Sequence, residues 1–559
     1  MDKVVMLSTV VGFLSILYAG INSSPYLADE VFHYRLASYI YDLWAIPEYD
    51  PLLHTNPLTG KNYYVNEPLW HVSLAAFWTL TGHSQLTGQI FQGLIYLGMV
   101  FSAYLLGKEI HSKECGYYTG ILVASSPFVV LYSILFHVDI FLMLLCTLCY
   151  VMILRKHFLW VGILLGLAFA TKRNSYFIAP ALAFSIVYYA NGTLKNKAEK
   201  LLVFLLALSV IAAPELYRRH SEFGFYGTVT PKYFESPDLS SPSDTPVIEP
   251  PTIIVEDDIL SPIKQPLVGM PKQPTTFVLG KLSKKIMVKI SMFIQPRDTI
   301  YEPKKENGIY GEFVHPESVL KPSTIPIYLG LPLTVVLLIT IVYLYKNKTF
   351  VDLLNKKLML AYIVVPSFLV AYAICFFNNW GFRYMSPILI FAFLLGGYGL
   401  TSIRGRGWNY LKYMLVLGCL AQIITTAIYV QKYRKISPDA REAYEYSKKY
   451  IPPNHLTLSP KGAFALHAGK PVLWHSTCAP IELDYIFWKA NEEEAEEIFG
   501  KFGIYYLFID KDRIYDDSKV HHVLGYPVSF VKKLQNFKCM KLIFNNRYAS
   551  IWQIKHEKG

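Results

Sequence analysis

Long apolar segments recur along this chain and constrain its fold more than any other feature. An α-helix needs roughly 20 apolar residues to cross a bilayer core. Charged residues make up only 17% of the composition, and the mean hydropathy of +0.30 is too high for a soluble protein of ordinary domains. The sequence therefore predicts a polytopic α-helical membrane protein, with eleven spans at about 4–22, 86–107, 116–135, 138–154, 158–171, 176–191, 201–217, 325–345, 358–376, 384–402 and 411–430.

Basic residues predict how these spans are oriented. The formal net charge is +12, which in a soluble protein would raise nucleic-acid binding. Here many Lys and Arg residues lie in short connections between apolar segments, where an excess of positive charge marks the cytoplasmic side. We therefore expect no nucleic-acid partner. With the N-terminus in the cytoplasm, the basic connections on that side contain Lys108, Lys113, Arg155, Lys156, Lys195, Lys197, Lys200, Lys346, Lys348, Lys356, Lys357, Arg404, Arg406 and Lys412.

The segment "EPLWHVSLAAFWTLTG", residues 67–82, is apolar but short for a span. Counting it as one would move the basic connections to the outside. We therefore expect an amphipathic or partly re-entrant helix along the membrane surface.

The predicted topology divides the chain into four regions. Residues 1–217 form a transmembrane module with a first extracytoplasmic loop at 23–85. Residues 218–324 contain the Pro-rich stretch "SPDLSSPSDTPVIEPP" and the basic, apolar stretch "GKLSKKIMVKISMFIQP", which predict an extracytoplasmic loop with an interfacial helix. Residues 325–430 form the C-terminal transmembrane helices. In 431–559, "DAREAYEYSKKYI" has a helical pattern and "IYYLFID" that of a buried strand, which predicts a soluble extracytoplasmic α/β domain.

Charged residues gather at the predicted outer rim of the membrane. Ionisable residues there are costly unless they are paired or used in function. A carboxylate can remove a proton from a hydroxyl, and cations can neutralise a departing phosphate. The residues concerned come from separate connections: Asp29, Glu30, Asp139, Lys172, Arg173 and Arg383.

Each of these residues also has a structural explanation. Acids such as Asp29 and Asp139 are favoured at the start of a helix by its dipole. Lys172 can anchor the end of a span, and Arg383 can extend its charged group to the interface. Histidines such as His33 are more often packed in the interior than bound to metal. No cofactor is required by the pattern, and a divalent metal is compatible with it.

Several motifs resemble the GT-C superfamily of lipid-phosphate-sugar glycosyltransferases. "YLADEVFHY", "YDPLLHTNPL" and "NEPLWHVSLAAFWTLTG" resemble its first extracytoplasmic loop. "GILLGLAFATKRNSYFIAPAL" and "FRYMSPILIF" are similar to later spans of protein O-mannosyltransferases and bacterial aminoarabinose transferases. "DEVFHY" and "YDPLLHT" also resemble the glucosyltransferase that adds the last glucose to the dolichol-linked oligosaccharide. The resemblance implies a GT-C fold over about residues 1–430.

The resemblance also implies roles for individual residues. Asp29 matches the acid that activates the acceptor hydroxyl, Glu30 its partner, and Asp139 a second acidic site. Basic positions near the donor phosphate are matched by Lys172, Arg173 and Arg383. The donor or acceptor pocket is expected to include His33, Tyr34, Asn66, Glu67 and Tyr384.

These features predict an inverting glycosyltransferase in the plasma membrane of a prokaryote, with its active site outside the cytoplasm. Its expected donor is a single hexose, such as mannose or glucose, on a polyprenyl or dolichyl phosphate. The expected partners are a glycan or protein acceptor and membrane lipids. Two alternatives are an oligosaccharyltransferase or glycan ligase that uses a lipid-pyrophosphate donor, and a non-catalytic lipid transporter.

Overall fold

The computed structural model describes residues 2–25, 28–46, 49–50, 52–54, 62–63, 67–223, 253–254, 330–346, 359–375, 386–402, 406–474, 486–487, 491–511, 514–515 and 526–556. Helices account for most of these ranges. Their bounds are α1 Asp2–Ile21, α2 Ala28–Leu43, α3 Leu69–Thr81, α4 Gln85–Ile110, α5 Lys113–Ser125, α6 Pro127–Ile134, α7 Asp139–Leu154, α8 Phe158–Thr171, α9 Ala179–Tyr189, α10 Leu194–Phe223, α11 Leu331–Lys346, α12 Met359–Cys375, α13 Ser386–Ser402, α14 Arg406–Tyr433, α15 Pro438–Tyr450, α16 Ala463–Ala468, α17 Glu492–Lys501 and α18 Val528–Leu534.

The described strands are short and lie mainly toward the end of the chain. Their bounds are β1 Tyr49–Asp50, β2 Leu53–His54, β3 Asn62–Tyr63, β4 Ile253–Ile254, β5 Leu456–Ser459, β6 Val472–Trp474, β7 Ile504–Asp510, β8 Ile514–Tyr515, β9 Tyr526–Pro527, β10 Met540–Asn545 and β11 Ala549–Ile554.

The elements group into two compact units. The helical unit contains α1, α3 to α9, most of α10, and α11 to α14. The α/β unit contains α2, the end of α10, the described strands, and α15 to α18. The four-region division predicted from the sequence stays a prediction.

Several helices of the helical unit are apolar enough to cross a membrane. By length and composition, Gln85–Ile110, Leu194–Arg218 and Trp408–Lys432 qualify within the described residues. Six shorter apolar helices accompany them: Val5–Ile21, Asp139–Leu154, Phe158–Thr171, Pro332–Tyr343, Leu360–Leu369 and Ser386–Ser402. The prediction of a mostly helical chain with several apolar helices is confirmed. The count of eleven spans stays a prediction.

One predicted span is broken. The segment expected as a single helix at 116–135 forms α5 and α6, which meet at an angle of 55°. Ser126 has extended backbone between them, and Pro127 opens α6. Proline has no N–H to continue the ladder of α5, and it disfavours helical backbone at the residue before it. The break therefore falls at a position that the sequence dictates.

Small residues let α4 and α5 approach closely. A Cβ added to Gly107 of α4 would lie 2.8 Å from the Cα of Gly116 in α5 and 2.8 Å from Oγ1 of Thr119. Real Cβ atoms essentially never approach another heavy atom more closely than 3.0 Å. Close approach through small residues is a common way for membrane helices to pack, because lipid tails supply no hydrophobic drive.

A seven-stranded sheet forms the centre of the α/β unit, in the order β2-β6-β5-β7-β11-β10-β4. Neighbours from β2 to β7 run parallel, β11 runs antiparallel to both β7 and β10, and β4 runs parallel to β10. Side chains alternate along β7. Leu507 and Ile509 pack in one apolar cluster with α17 and α18, and Tyr506 and Phe508 pack in another with α15 and α16. Both faces of the sheet are therefore covered by helices.

Candidate active site

Asp139 begins α7 and is fully buried within the helical unit. The preceding helix ends at Ile134, so a short connection delivers the carboxylate to one end of the helices. An acid in the first turn is stabilised by the helix dipole. Burial of a carboxylate nevertheless requires an opposite charge or hydrogen-bond donors close by.

Lys172 supplies that opposite charge. It follows α8 in extended backbone, and its N–H donates to the carbonyl of Ala168. Its Nζ lies 2.8 Å from Oδ1 of Asp139, and its side chain is 15% exposed. This pairing differs from that of a lysine that only anchors a span end, since its charge is directed at a buried carboxylate.

His137 contacts the other oxygen of the same carboxylate. Its Nδ1 lies 2.5 Å from Oδ2 of Asp139, and its side chain is 2% exposed. The ring also packs edge-on against Tyr132, with the centroids 5.0 Å apart. Asp139 is therefore held between an imidazole and an ammonium group.

Two amides of α4 brace the connection that carries these groups. Gln89 donates from Nε2 to the carbonyl of Ser133 at 2.9 Å. Gln92, three residues later, donates from Nε2 to the carbonyls of Leu135 and His137. Residues three apart lie on the same face of a helix, so both amides point at the end of α6 and the segment that follows it.

The start of α3 brings further polar groups to this end. Glu67 and His71 are buried, and the Trp70 ring packs edge-on against that of His71. The pKa of His71 is lowered to about 3, mainly by burial and also by nearby His137, while a hydrogen bond with the Glu67 backbone acts in the opposite direction. His71 is therefore neutral near pH 7. The segment "EPLWHVSLAAFWTLTG" is helical from Leu69, but its predicted position on the membrane surface stays a prediction.

The end of α10 carries another acid and base, at about the same height along the helices as Lys172. Gly162 of α8 lies against Ala207, and Gly166 lies against Ile211, so α8 and α10 run parallel. The segment of α10 beyond Ile211 therefore continues toward the end where Lys172 lies. There Arg218 donates from Nε and Nη2 to the two carboxylate oxygens of Glu215, both at 2.9 Å.

The opposite end of the helical unit has a different set of charges. Arg155, which follows α7, pairs with Glu109 at 2.8 Å. Lys412 pairs with Glu114 at 3.3 Å. These groups are more exposed than Asp139, since Glu109 is 26% and Glu114 47% exposed. Among the described charged residues at the two ends of α7, the buried acid–base cluster therefore lies at the end that begins with Asp139.

The acids and aromatic residues predicted in the first loop lie on α2, in the α/β unit. Glu30 is fully buried, and His33 is buried against Phe32, with their ring centroids 5.6 Å apart. Burial raises the pKa of Tyr34 to about 12, so its phenol is protonated near neutral pH. Asp29 belongs to the first turn of α2, but its side chain lies outside the described residues.

Other predicted site residues also fall outside what the structure describes. Asn66, Arg383 and Tyr384 lie between the described ranges, and only the backbone of Arg173 is described, in a 3₁₀ helix at Arg173–Ile178. Their predicted roles stay predictions.

Sequence reasoning missed His137 and the Glu215–Arg218 pair. His137 was treated as part of a turn, and Glu215 as the end of a span. The available signal was their ionisable character at the end of an apolar segment, where such residues are costly unless paired. Within the described residues, no group of three or more His, Cys, Asp and Glu side chains is arranged to hold a metal ion.

The cluster around Asp139 offers a cation and a neutral hydrogen-bonding imidazole. The Lys172 ammonium can move from Asp139 to an incoming phosphate oxygen, or share its protons between the two. Neutral His71 can donate or accept a hydrogen bond without carrying charge. Preorganised donors of this kind stabilise negative charge that develops on a leaving group.

The segment that contains this cluster matches a known family. Residues 67–217 match the family model of dolichyl-phosphate-mannose-protein mannosyltransferase. That segment includes Glu67, His71, His137, Asp139 and Lys172. A sequence comparison with curated proteins gives no significant match.

Solved structures of low sequence identity share the fold. The archaeal oligosaccharyltransferase AglB from Archaeoglobus fulgidus, in complex with an inhibitory peptide and a dolichol-phosphate, is 13% identical, with a TM-score of 0.56 over 91% of this chain and 69% of its own. ArnT from Cupriavidus metallidurans in the apo state is 9% identical, with a TM-score of 0.55 over 99% of this chain and 97% of its own. The same protein bound to undecaprenyl phosphate gives a TM-score of 0.53 at 9% identity, over 98% of this chain and 97% of its own.

The resemblance seen in the sequence is therefore confirmed. A family model matches the segment that carries the buried cluster, and the fold extends the similarity over nearly the whole chain. Together these findings show that residues 67–217 are similar to a mannosyltransferase family and that the chain shares its fold with the glycosyltransferase structures AglB and ArnT.

Proposed function

We propose that this protein is an inverting glycosyltransferase that moves one hexose from a polyprenyl or dolichyl phosphate to an acceptor outside the cytoplasm. The observation that carries the proposal is the buried Asp139, held by Lys172 and His137 inside the segment that matches the mannosyltransferase family. The acceptor is a lipid-linked glycan, a protein-bound glycan or a protein hydroxyl. The N-terminus is cytoplasmic in this proposal.

A lipid-phosphate donor is supported by two relatives. AglB was solved with a dolichol-phosphate and ArnT with undecaprenyl phosphate. A phosphate leaving group needs cations, and Lys172 is the described residue best suited to that role, because its partner Asp139 already holds it in place. Arg173 and Arg383 keep the phosphate-binding role proposed from the sequence.

The proposed reaction is a single displacement. A base removes the proton of the acceptor hydroxyl, whose oxygen attacks the anomeric carbon. The bond from that carbon to the phosphate oxygen breaks, and the polyprenyl phosphate leaves with the electron pair. Asp29 is the proposed base and Glu30 its partner, while His33, Tyr34, Asn66, Glu67 and Tyr384 are proposed to contact the substrates.

The test is sugar transfer by the full chain in detergent or nanodiscs. The donor is a synthetic polyprenyl-phosphate hexose, and Asp29→Asn is compared with Asp42→Asn, an exposed acid on the same helix. Loss of a general base costs roughly 10²–10⁴-fold in rate, so Asp29→Asn should lose that much while Asp42→Asn keeps wild-type turnover. Near-normal turnover by a well-folded Asp29→Asn protein would remove the mechanism.

A second candidate is an oligosaccharyltransferase that moves a whole glycan from a lipid pyrophosphate. The fold that this chain shares with AglB over 91% of its length supports this second candidate. The same assay separates the two candidates when a lipid-pyrophosphate oligosaccharide is offered beside the monophosphate hexose. Transfer from the pyrophosphate alone would favour the oligosaccharyltransferase.

A further inference from the structure

The α/β unit is not built from the end of the chain alone. Strand β2 of the first loop pairs in parallel with β6, Leu53 opposite Val472 and His54 opposite Leu473. The Val472 N–H also donates to the carbonyl of Leu52 at 2.8 Å. A segment that follows α2 is therefore part of the same sheet as residues from the C-terminal region of the chain.

Helix α2 is attached to the same unit. It packs against α16, and Phe32 packs on the apolar cluster that contains Tyr444, Phe464 and Phe508. The helix that carries Asp29 and Glu30 is therefore held by side chains from the C-terminal region.

His467 anchors the backbone immediately before α2. Its Nε2 lies 2.9 Å from the carbonyl oxygen of Pro25. A carbonyl oxygen can only accept, so the imidazole donates from Nε2. Pro25 lies three residues before α2 begins at Ala28, so the hydrogen bond holds the chain close to the start of the helix.

A series of contacts fixes His467 in turn. Its ring lies beside that of Tyr444, with centroids 5.3 Å apart, and Tyr444 stacks on Phe508. The Tyr444 hydroxyl is 3.1 Å from that of Tyr548, which donates to Oδ2 of buried Asp510 at 3.0 Å. Asp510 is also paired with Lys461. The ring of His467 is thus braced by residues tied into the sheet.

We propose that His467 is a positioning residue, through which the C-terminal α/β region sets the orientation of α2 and hence of the Asp29–Glu30 pair. This inference rests on the proposed function, in which that pair activates the acceptor. His467 does not touch substrate in this account. It acts through the Pro25 carbonyl.

The experiment replaces the hydrogen bond while keeping the ring. His467→Phe retains an aromatic ring beside Tyr444 but removes the donor, and His467→Gln restores a donor. His455→Phe is the control, since His455 lies in the same unit with its ring against Tyr505. Two quantities are measured on the full chain: hydrogen exchange of the α2 amides, and kcat and KM for sugar transfer from a polyprenyl-phosphate hexose.

We expect His467→Phe to speed exchange in α2 and to lower kcat by roughly 10–100-fold, the cost of misplacing a catalytic group by about an ångström. KM for the donor should change little. His467→Gln should recover most of the wild-type α2 exchange rate and most of kcat. His455→Phe should match wild type in both measurements. Phe32→Ala removes the apolar contact that also holds α2. It should therefore speed α2 exchange and lower kcat in the same way, and it replaces His467→Phe as the test variant if that protein does not fold.

Three results would overturn the inference. Unchanged α2 exchange in both His467→Phe and Phe32→Ala would show that these contacts do not hold the helix. Faster exchange with normal kcat would show that the orientation of α2 is irrelevant to transfer. Absence of transfer by the wild-type protein would overturn the proposed function and the positioning role together, whereas the first two results leave the proposed function intact.

Discussion

Lys172 and Asp139 lie 33 residues apart in sequence, yet their Nζ and Oδ1 atoms are 2.8 Å apart and the carboxylate is fully buried. The pair joins the end of α8 to the start of α7. It is therefore a structural tie in the helical unit, and it also holds the cation that we propose to bind the donor phosphate.

Removal of one charge from the Lys172–Asp139 pair should destabilise the folded protein. Breaking a buried ion pair leaves the other charge uncompensated, which typically costs about 3–5 kcal/mol. We expect Lys172→Met to lower the free energy of unfolding by an amount of that order, because the carboxyl group of Asp139 would remain buried without its cation. Denaturant unfolding of the full chain in detergent measures the effect.

The control for this prediction is the pair at the other end of α7. Glu109→Gln removes one charge from the more exposed Glu109–Arg155 pair, for which about 0–1 kcal/mol is expected. The double variant Asp139→Asn with Lys172→Met should be more stable than Lys172→Met alone, because no carboxylate is left without its cation. Both variants lack the Lys172 ammonium, so we expect neither to transfer sugar at the wild-type rate. Equal losses for Lys172→Met and Glu109→Gln would contradict the burial argument.

Acidification should destabilise the protein through His71. Burial lowers its pKa to about 3 in the folded chain, against an ordinary value of about 6.5 in an unfolded one. Because the folded pKa is the lower, the stabilisation is fully present above about pH 6.5 and is lost progressively as pH falls toward 3. The groups that face His71 are the Glu67 backbone and His137, and His137 in turn contacts Asp139.

The measurement is the free energy of unfolding at pH 7.5, 6 and 5, for wild type and His71→Gln. A single such group contributes at most about 1.4 kcal/mol per pH unit, and His71→Gln should show a correspondingly shallower decline. His157→Gln, at an exposed histidine, is the control and should keep the wild-type slope. A slope in His71→Gln equal to that of wild type would rule out His71 as its source.

Close packing of α4 on α5 should make Gly107 intolerant of a methyl group. Its added Cβ would lie 2.8 Å from Gly116 Cα, whereas the nearest atom to a Cβ on Gly120 is 3.5 Å away. Overpacking typically costs about 1–3 kcal/mol, so Gly107→Ala should lower the melting temperature clearly and Gly120→Ala hardly at all. Equal melting temperatures for the two variants would show that the helices separate at little cost.

The hydroxyl of Tyr150 should make a modest contribution. It donates to the carbonyl of Pro387 at 2.6 Å and so links α7 to α13, while its ring packs against Phe391. Tyr150→Phe keeps the ring and should cost about 0.6–2 kcal/mol, the range measured for hydrogen bonds between membrane helices. Tyr410→Phe, at an exposed tyrosine, should have no effect on unfolding. A null result at Tyr150 would show that the hydroxyl finds an equivalent partner in the unfolded state.

Hydropathy predicts the helices well because the length of a span is set by the bilayer. The segment predicted at 138–154 is Asp139–Leu154, and the one at 158–171 is Phe158–Thr171. The two-residue strands β2 and β4 have no such signal. Leu53–His54 and Ile253–Ile254 are strands only because β6 and β10 present unpaired backbone beside them, and this depends on tertiary structure.

The residues of the candidate site also differ in how clearly the sequence indicates them. Asp139 and Lys172 are noticeable in the sequence because charges beside apolar segments are costly. His137 has the same ionisable character, but a histidine in a turn is ordinary, and its 2.5 Å approach to Asp139 depends on the tertiary structure. Nor does the sequence show that α2 is held by His467, because the hydrogen bond joins residues 442 positions apart.

The pairing of β2 with β6 also constrains how the molecule is made. Leu53 and Val472 are separated by roughly 420 residues, and at a synthesis rate of about 5–20 residues per second the first partner waits tens of seconds for the second. Helices α3 to α16 are translated during that interval. The sheet therefore closes after they have been synthesised, which makes its completion a late event in biogenesis, and a ribosome that stops early leaves β2 without its neighbour.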